Sequence, residues 1–279
     1  MIQNILVPVD LSESSLNALN TAVAIAKKHN ASIQILHVEE NAIDQVDETA
    51  SFSSTSRLNA SDIVTALAST ISYSHNIPAG IIVEEGNVSD IIVNKSDKIH
   101  ADLIVMGSHG ASGYRDGFVG SNAYAVIKYA TCPVLCIPVR KKVLSFKNLL
   151  FPIRPVSGGL VLYDFIRHFT DPNTTMEVLG LSYKNIEMDT GVLNTIVEEI
   201  KDQLKKDQVR TKVFWGEEGI ITDDILQCAQ QRNPDVLIVT PALDGASKPR
   251  FIGPYAQKVI NCAKLPILYI KKVMVPMFV

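Results

Sequence analysis

The sequence lacks three kinds of signal, and each absence excludes a class of protein. No apolar run approaches the roughly 18–20 residues of a membrane-spanning helix, and Met1-Ile2-Gln3-Asn4 has no basic segment of the kind that begins a secretory signal. Neither charge sign dominates, since Lys and Arg number 26, Asp and Glu 29, and the net charge is −3. We therefore expect a cytoplasmic protein with no membrane partner and no nucleic acid partner.

Cysteine is also scarce. The four thiols, at Cys132, Cys136, Cys228 and Cys262, include no C-x2-C pair and no histidine at zinc-ligand spacing. Cys132 and Cys136 are four residues apart, which on a strand is about 13 Å and too far for a disulfide. We expect reduced thiols packed in the core.

What is present is the composition of a folded core, with 47% hydrophobic and 20% charged residues over 279 positions. That length predicts two domains, because a usual domain has about 100–200 residues. In the first half, apolar strand segments alternate with amphipathic helical segments. The predicted strands are 5–9, 32–38, 81–84, 102–106 and 134–139, and the predicted helices follow Ser12 to about His29, then 58–75, 121–129 and a segment capped by Ser89. The polar, serine-rich stretch 41–57 is interpreted as a mobile loop.

Alternation of strands and helices predicts an α/β fold with a doubly wound parallel sheet, because parallel neighbours need a crossover connection. The same order then begins again: Leu6-Val7-Pro8-Val9 matches Leu150-Phe151-Pro152-Ile153, and Cys132-Pro133-Val134-Leu135 matches Leu265-Pro266-Ile267-Leu268. An internal repeat explains these matches. The prediction is two tandem five-stranded, Rossmann-like sheets of strand order 3-2-1-4-5, in domains 1–142 and 143–279 joined near the basic cluster 140–142.

Glycine is concentrated after the fourth predicted strand. Gly107, Gly110 and Gly120-Ser121 form the pattern G-x2-G-x9-G-S. Positive φ and a missing Cβ at the first two would let the backbone approach a ligand. Gly120 and Ser121 begin a helix, whose N–H groups and dipole favour a phosphate. Neither G-x-G-x-x-G nor G-x4-G-K-[ST] occurs, so the dinucleotide fingerprint and the P-loop lysine are both missing.

The crevice of a doubly wound sheet lies beyond the carboxyl ends of the strands where strand order reverses. Asp10 ends the first strand and Gly107 follows the fourth, so both are predicted to face it. There Asp10 would accept from a ribose hydroxyl or hold Mg²⁺, although capping the next helix is an alternative role. Val38 would offer backbone groups to a base. His109 either orients a phosphate or water, or fills space in the loop.

The G-x2-G-x9-G-S spacing, the strand end Val7-Pro8-Val9-Asp10 and the repeat resemble the universal stress protein family in its tandem two-domain form. ATP-binding members of that family carry G-x2-G-x9-G-[ST]. The resemblance implies an adenine nucleotide, ATP, ADP or AMP, with Mg²⁺, and a role in stress response. No base, nucleophile or metal cluster in the sequence indicates rapid turnover, and slow hydrolysis stays open. It implies these contacts: Pro8, Val9, Asp10 and Val38 for adenosine; Met106, Gly107, His109 and Gly110 for ribose and phosphate; and Gly120, Ser121, Asn122 and Ala123 for the phosphates.

The second repeat departs from this pattern. Arg154, Thr240, Leu243 and Pro254 stand where the first repeat has Asp10, Gly107, Gly110 and Ser121, while Gly253 is kept. Proline has no N–H to donate, and leucine brings a side chain where glycine left space. We therefore expect no ATP in this half.

Three functions stay open from the sequence. The first is an ATP-binding stress protein in which the two repeats form an internal pseudo-dimer, with a homodimer of whole chains possible. The second is a slow nucleotide hydrolase or adenylyl-transferring enzyme, with Mg²⁺ on Asp10 and His109 as acid or base. The third is a nucleotide-free adaptor that dimerises through the last strand of each repeat.

Overall fold

The computed structural model describes residues 1–39, 59–110, 119–139, 146–155, 159–182, 187–216, 220–244 and 251–271. The strands are β1 (Asn4–Pro8), β2 (Ser32–Glu39), β3 (Ala79–Glu85), β4 (Leu103–Gly107), β5 (Val134–Ile137), β6 (Asn148–Ile153), β7 (Thr175–Gly180), β8 (Arg210–Trp215), β9 (Val236–Val239) and β10 (Ile267–Tyr269). The α-helices are α1 (Glu13–His29), α2 (Ala60–His75), α3 (Val88–Lys98), α4 (Ser121–Tyr129), α5 (Gly159–Ile166), α6 (Glu187–Lys206), α7 (Ile221–Arg232) and α8 (Pro254–Cys262). The predicted loop 41–57 and the predicted boundary between 142 and 143 lie outside the described residues.

The ten strands of the described residues lie in one sheet of order β3-β2-β1-β4-β5-β10-β9-β6-β7-β8. Within the first half the strands are parallel in the order 3-2-1-4-5, and the second half repeats this order. The predicted α/β, doubly wound fold is therefore confirmed. The two five-stranded units are not separate sheets, however, because β5 and β10 pair antiparallel, with Cys136 opposite Ile267 and Val134 opposite Tyr269. This pairing gives each last strand a partner on the side that would otherwise be an open edge.

The core lies on both faces of the sheet, and each face is continuous across the two halves. Successive residues of β1 point to opposite faces, so Val7 and Leu6 belong to different hydrophobic clusters. The Val7 cluster also contains Phe151 of the second half, and the Leu6 cluster contains Leu150. Burial on both faces explains why these strands are runs of apolar residues without alternation.

Helix α1 illustrates how local sequence sets an element. Ser12 is its N-cap, and the hydroxyl accepts from Ser15 N at 3.3 Å. Asn30, in the left-handed conformation, ends it after His29, as the sequence predicted. Ser89 as the cap of the third helix is wrong, because α3 begins at Val88 and Ser89 already lies in its first turn. Its N-cap is Asn87, whose side chain accepts from Asp90 N at 3.1 Å.

Other boundaries and the thiols differ in detail. β5 ends at Ile137, two residues before the predicted end, and the next residue is Pro138, which has no N–H for the ladder. Cys132, Cys136 and Cys228 are buried free thiols, whereas Cys262, the last residue of α8, is exposed. Burial raises the pKa of Cys132 and of Cys136 to about 12. In the described part of the chain, no helix combines the length and apolarity needed to cross a bilayer.

Candidate functional site

A cavity of about 390 Å³ opens at the carboxyl ends of β1, β2 and β4. Strand order reverses between β1 and β4, the place where doubly wound sheets bind ligands, and we call this space the switch-point cavity. All twelve residues that the sequence singled out line it: Pro8, Val9, Asp10, Val38, Met106, Gly107, His109, Gly110, Gly120, Ser121, Asn122 and Ala123. The structure thus brings the predicted set together, and its contact with a nucleotide stays a prediction.

Seven more residues line the cavity that sequence reasoning missed: Ser15, Leu36, His37, Glu39, Val88, Ile92 and Ser108. His37 and Glu39 flank the predicted Val38 at the end of β2. Val88 and Ile92 are one turn apart on α3, so the spacing of four was a usable signal. Which face of α3 points to the cavity depends on how the helix packs on the sheet, and spacing alone does not reveal that.

His37 joins the ends of β1 and β2. Its ring is buried, and Nδ1 lies 2.7 Å from Val9 O. A carbonyl oxygen only accepts, so Nδ1 carries a proton and donates it to Val9 O. Together with the bond from Val9 N to Leu36 O at 2.8 Å, this contact holds the floor of the cavity in place.

Asp10 lies at the end of β1 and supports the start of α1. Its Oδ1 accepts from Ser12 N at 3.1 Å and from Ser12 Oγ at 2.6 Å. The cap itself is Ser12, so the alternative in which Asp10 caps the helix directly is wrong. A Cβ placed on Gly110 would lie 2.9 Å from Asp10 Oδ2. The carboxylate and the glycine loop after β4 therefore meet at the cavity, as the topology predicted.

The prediction of positive φ at Gly107 and Gly110 is wrong. Among the glycines that the structure describes, only Gly86 has such a value, with φ of 134°. These positions need glycine because a Cβ there would lie too close to neighbouring atoms. A Cβ on Gly107 would collide with Ser14 Oγ, so the missing Cβ of this glycine allows the packing of α1 on β4. A Cβ on Gly120 would lie 3.2 Å from the O atom of Ser108, another residue of the cavity lining.

The N-terminus of α4 forms one wall of the cavity. Its N-cap, Gly120, makes no side-chain capping bond, whereas α1, α2 and α3 are capped by Ser12, Asn59 and Asn87. The first N–H groups of a helix have no partner within it, and they carry the positive end of the helix dipole. Since Ser121, Asn122 and Ala123 all line the cavity, this wall favours an anion.

Charged side chains in the cavity are acidic. Asp10 and Glu39 line it, and no Lys or Arg is among the described residues of the lining. His109 is held by its neighbour, with Nδ1 2.8 Å from Ser108 Oγ. Within the described residues there is no cluster of three or more His, Cys, Asp or Glu that would hold a metal. A cation at Asp10 would therefore need oxygen ligands from a bound molecule and from water.

At the corresponding end of the second half, the described side chains of Asp244 and Arg154 make contacts within the protein. The carboxylate of Asp244 accepts from Tyr255 N at 2.8 Å and from Ala256 N at 3.0 Å, in the first turn of α8. A Cβ on Gly253 would collide with that carboxylate. The start of α8 corresponds to the start of α4, which faces the cavity in the first half. In the second half this helix N-terminus is occupied by the protein's own carboxylate. The sequence indicated a changed site through Pro254 and Leu243 but missed Asp244.

Arg154 makes the second set of these contacts. It replaces Asp10 of the first half, and its Nη1 donates to Leu243 O. The guanidinium carbon lies 5.5 Å from the centroid of the Tyr255 ring, within cation–π range. The positive charge that stands in place of the Asp10 carboxylate is thus used in contacts within the second half.

An open, doubly wound parallel sheet, with a glycine-lined cavity at its switch point and a helix N-terminus in the wall, defines a doubly wound α/β protein whose cavity lies where this class binds its ligands. Residues 1–138 match the universal stress protein family. A universal stress protein of Methanocaldococcus jannaschii is 32% identical over 145 residues, which are 51% of this chain and 85% of that protein. Universal stress protein A homolog 1 of Coxiella burnetii is 28% identical over 141 residues, 48% of this chain and 95% of that protein. The chain belongs to the universal stress protein family.

A solved structure extends the likeness in fold over both halves. The universal stress protein of Archaeoglobus fulgidus superposes with a TM-score of 0.71, covering 96% of this chain and 98% of that chain at 19% identity. At this identity the likeness concerns the fold alone. It supports the topology in which two repeats contribute to one sheet.

Proposed function

We propose that the chain binds one adenine nucleotide, ATP with Mg²⁺, in the switch-point cavity and acts in the stress response through the conformation that the nucleotide stabilises. One observation carries this proposal: residues from four separate elements, all named from the sequence as nucleotide contacts, line a single cavity. A role in the cytoplasm belongs to the same proposal, as do the domains 1–142 and 143–279.

The cavity has two chemically different parts that suit the two parts of a nucleotide. Apolar side chains of β2, β4 and α3, among them Val38, Met106 and Ile92, offer a surface for a purine ring. The glycine loop and the start of α4 offer backbone N–H groups for phosphates. Base and phosphates are thus assigned to opposite ends of one continuous space.

Electrostatics explains why Mg²⁺ is part of the proposal. A triphosphate entering the cavity meets the carboxylates of Asp10 and Glu39 and no basic side chain of the described lining. Backbone N–H groups and a helix dipole offset about half a charge, which is less than the charge of the phosphates. A divalent cation between the phosphates and Asp10 would remove this repulsion, because Mg²⁺ prefers a few carboxylate ligands together with phosphate oxygens and water.

The second half has a different role in this proposal. With Asp244 on the N-terminus of α8, it lacks an open anion position there, so we expect one nucleotide per chain. Its last strand pairs with β5, and we infer that the second half acts as a permanent partner, an internal pseudo-dimer of the two repeats. A homodimer of whole chains would then form through another surface.

The test is to denature the purified chain, identify any released small molecule by mass spectrometry, and titrate the emptied protein with ATP, ADP and AMP with and without Mg²⁺. Gly120→Leu is the site variant, because its side chain would begin 3.2 Å from Ser108 O within the cavity lining. Gly191→Leu is the matched control, since a Cβ there meets nothing within 4 Å.

We expect about one adenine nucleotide per chain in the wild type and in Gly191→Leu, and none in Gly120→Leu. Two nucleotides per chain would contradict the closed second half. A wild-type chain that binds no nucleotide under any of these conditions would contradict the proposed function and favour the adaptor. Steady turnover that is lost in His109→Ala while binding persists would favour the hydrolase.

A further inference from the structure

Lys271 belongs to the second half of the chain, yet its ammonium group contacts a helix of the first half. Nζ donates to Lys128 O at 2.6 Å and to Ala130 O at 2.9 Å. These carbonyls lie at the C-terminal end of α4, where Ala130 is the C-cap. The last carbonyls of a helix have no partner within it, and a cation there interacts favourably with the helix dipole. Lys271 therefore caps α4 from the other repeat.

The backbone next to Lys271 is held by the sheet of the second half. Lys271 comes two residues after the end of β10, and the residue between, Ile270, donates its N–H to Val239 O at 3.0 Å. The basic residue in the last turn of α4 itself, Lys128, lies over the ring of Tyr129, with Nζ 5.2 Å from the centroid. The ammonium group on the last carbonyls of α4 thus belongs to Lys271, whose neighbour Ile270 is hydrogen-bonded to β9.

The other end of the same helix borders the switch-point cavity. α4 has nine residues, a length of about 13 Å at 1.5 Å per residue. An anion at its N-terminus and a cation at its C-terminus interact with one dipole, and each limits how the helix can shift. A movement of α4 toward or away from a bound phosphate therefore changes the Lys271 contact.

We propose that Lys271 is a positioning residue that couples nucleotide binding in the first half to the sheet of the second half through α4. This inference rests on the proposed function. Because coupling between two sites is reciprocal, a contact that favours the nucleotide-bound position of α4 must itself be strengthened when the nucleotide binds. The second half is thereby made sensitive to the occupancy of a cavity to which none of its described residues contributes.

The first repeat has no residue that corresponds to Lys271 in charge. Counting from the matched prolines Pro133 and Pro266, Lys271 corresponds to Pro138, whose side chain has no donor. The equivalent position of the first half therefore offers α8 no cation. The two helices thus differ at both ends. The N-terminus of α8 is bound by Asp244 and that of α4 borders the cavity, while the cation of Lys271 is found at the C-terminus of α4.

The experiment compares the full-length wild type with Lys271→Met and Lys271→Arg. Lys258→Met is the control, because it removes the same charge from α8, where Lys258 pairs with Asp223 at 2.8 Å on the surface. Titration calorimetry gives the Kd for ATP with Mg²⁺, and hydrogen exchange with and without ATP gives the protection of the amides of β10. If Lys271→Met does not fold, Lys271→Gln replaces it.

We expect Lys271→Met to raise the Kd by about two- to fivefold, the range of a charge at a helix terminus, and Lys271→Arg to restore it. We also expect ATP to slow amide exchange in β10 of the wild type and of Lys258→Met but not of Lys271→Met. Equal Kd values and equal β10 protection in all variants would overturn the inference while leaving nucleotide binding intact. A wild type that binds no ATP would instead overturn the proposed function, and the coupling with it.

Discussion

The carboxylate at the start of α8 allows a quantitative prediction for Asp244→Ala. It accepts two bonds, from Tyr255 N at 2.8 Å and from Ala256 N at 3.0 Å, and both are partly buried. Loss of an N-terminal cap costs about 0.5–2 kcal/mol, and a hydrogen bond to a charged group contributes about 1.5–3 kcal/mol. Because water reaches part of this site and replaces some of the lost bonding, we expect about 2 kcal/mol of lost stability.

The assay is equilibrium unfolding in urea, with thermal unfolding as a second measure. A loss of about 2 kcal/mol corresponds to a fall in Tm of about 4–8 °C for a chain of this size. Asp244→Asn keeps one acceptor oxygen and removes the charge, so its free energy of unfolding should fall between those of Asp244→Ala and the wild type. Asp202→Ala, which removes an exposed carboxylate from α6, is the control and should change little.

An unchanged free energy of unfolding in Asp244→Ala would refute the assignment of this carboxylate as the acceptor for the start of α8. The number of nucleotides bound gives a second check. We expect it to remain near one per chain in Asp244→Ala, because Leu243, Pro254 and Arg154 still differ from the first half. A second nucleotide in this variant would mean that Asp244 alone keeps the second half closed.

Two further predictions concern titratable groups. Burial lowers the pKa values of His29 and His168, whose ring centroids lie 6.4 Å apart, below the 6.5 of an exposed histidine. The unfolded chain therefore binds protons more readily, so stability should be constant above about pH 7 and fall as the pH drops through 6.5. The measurement is the Tm of the wild type and of His29→Gln, each at pH 7.5 and at pH 5.5. Tm values that are the same at the two pH values would contradict this expectation. Burial raises the pKa of Cys136 to about 12, whereas Cys262 is exposed, so iodoacetamide at pH 8 should label Cys262 first. Labelling of Cys136 in the folded protein at a similar rate would disagree with its burial.

Much of the fold was readable in the sequence because its signals are local. The spacing of apolar residues after Ser12 predicted α1, and α4 was predicted with both of its ends. Runs such as Ile5-Leu6-Val7 indicated strands covered on both faces. The error at Ser89 is also local, since Asn87, Ser89 and Asp90 are all residues that favour helix starts, and only backbone geometry shows which one is the cap.

The candidate site was readable for a different reason. In a doubly wound sheet, topology determines which strand ends meet, so Asp10 and Gly107 could be placed together without knowing any distance. Backbone conformation was not readable in this way. Gly107 was assigned to a ligand, but its missing Cβ makes room for Ser14, a residue distant in sequence whose position depends on the packing of α1.

The sequence by itself determined the α/β class and the repeat, because periodicity and turn chemistry act over a few neighbouring residues, and its resemblance to a family indicated the strand order and twelve of the residues that line the switch-point cavity. Only the tertiary structure decided three contacts between distant parts of the chain: the antiparallel pair of β5 and β10, the carboxylate of Asp244 on α8, and the ammonium of Lys271 on α4. Each joins groups whose encounter depends on how complete elements pack. A hydrogen bond across such a distance leaves no periodic trace in the sequence, since one side chain and one backbone group are enough to make it.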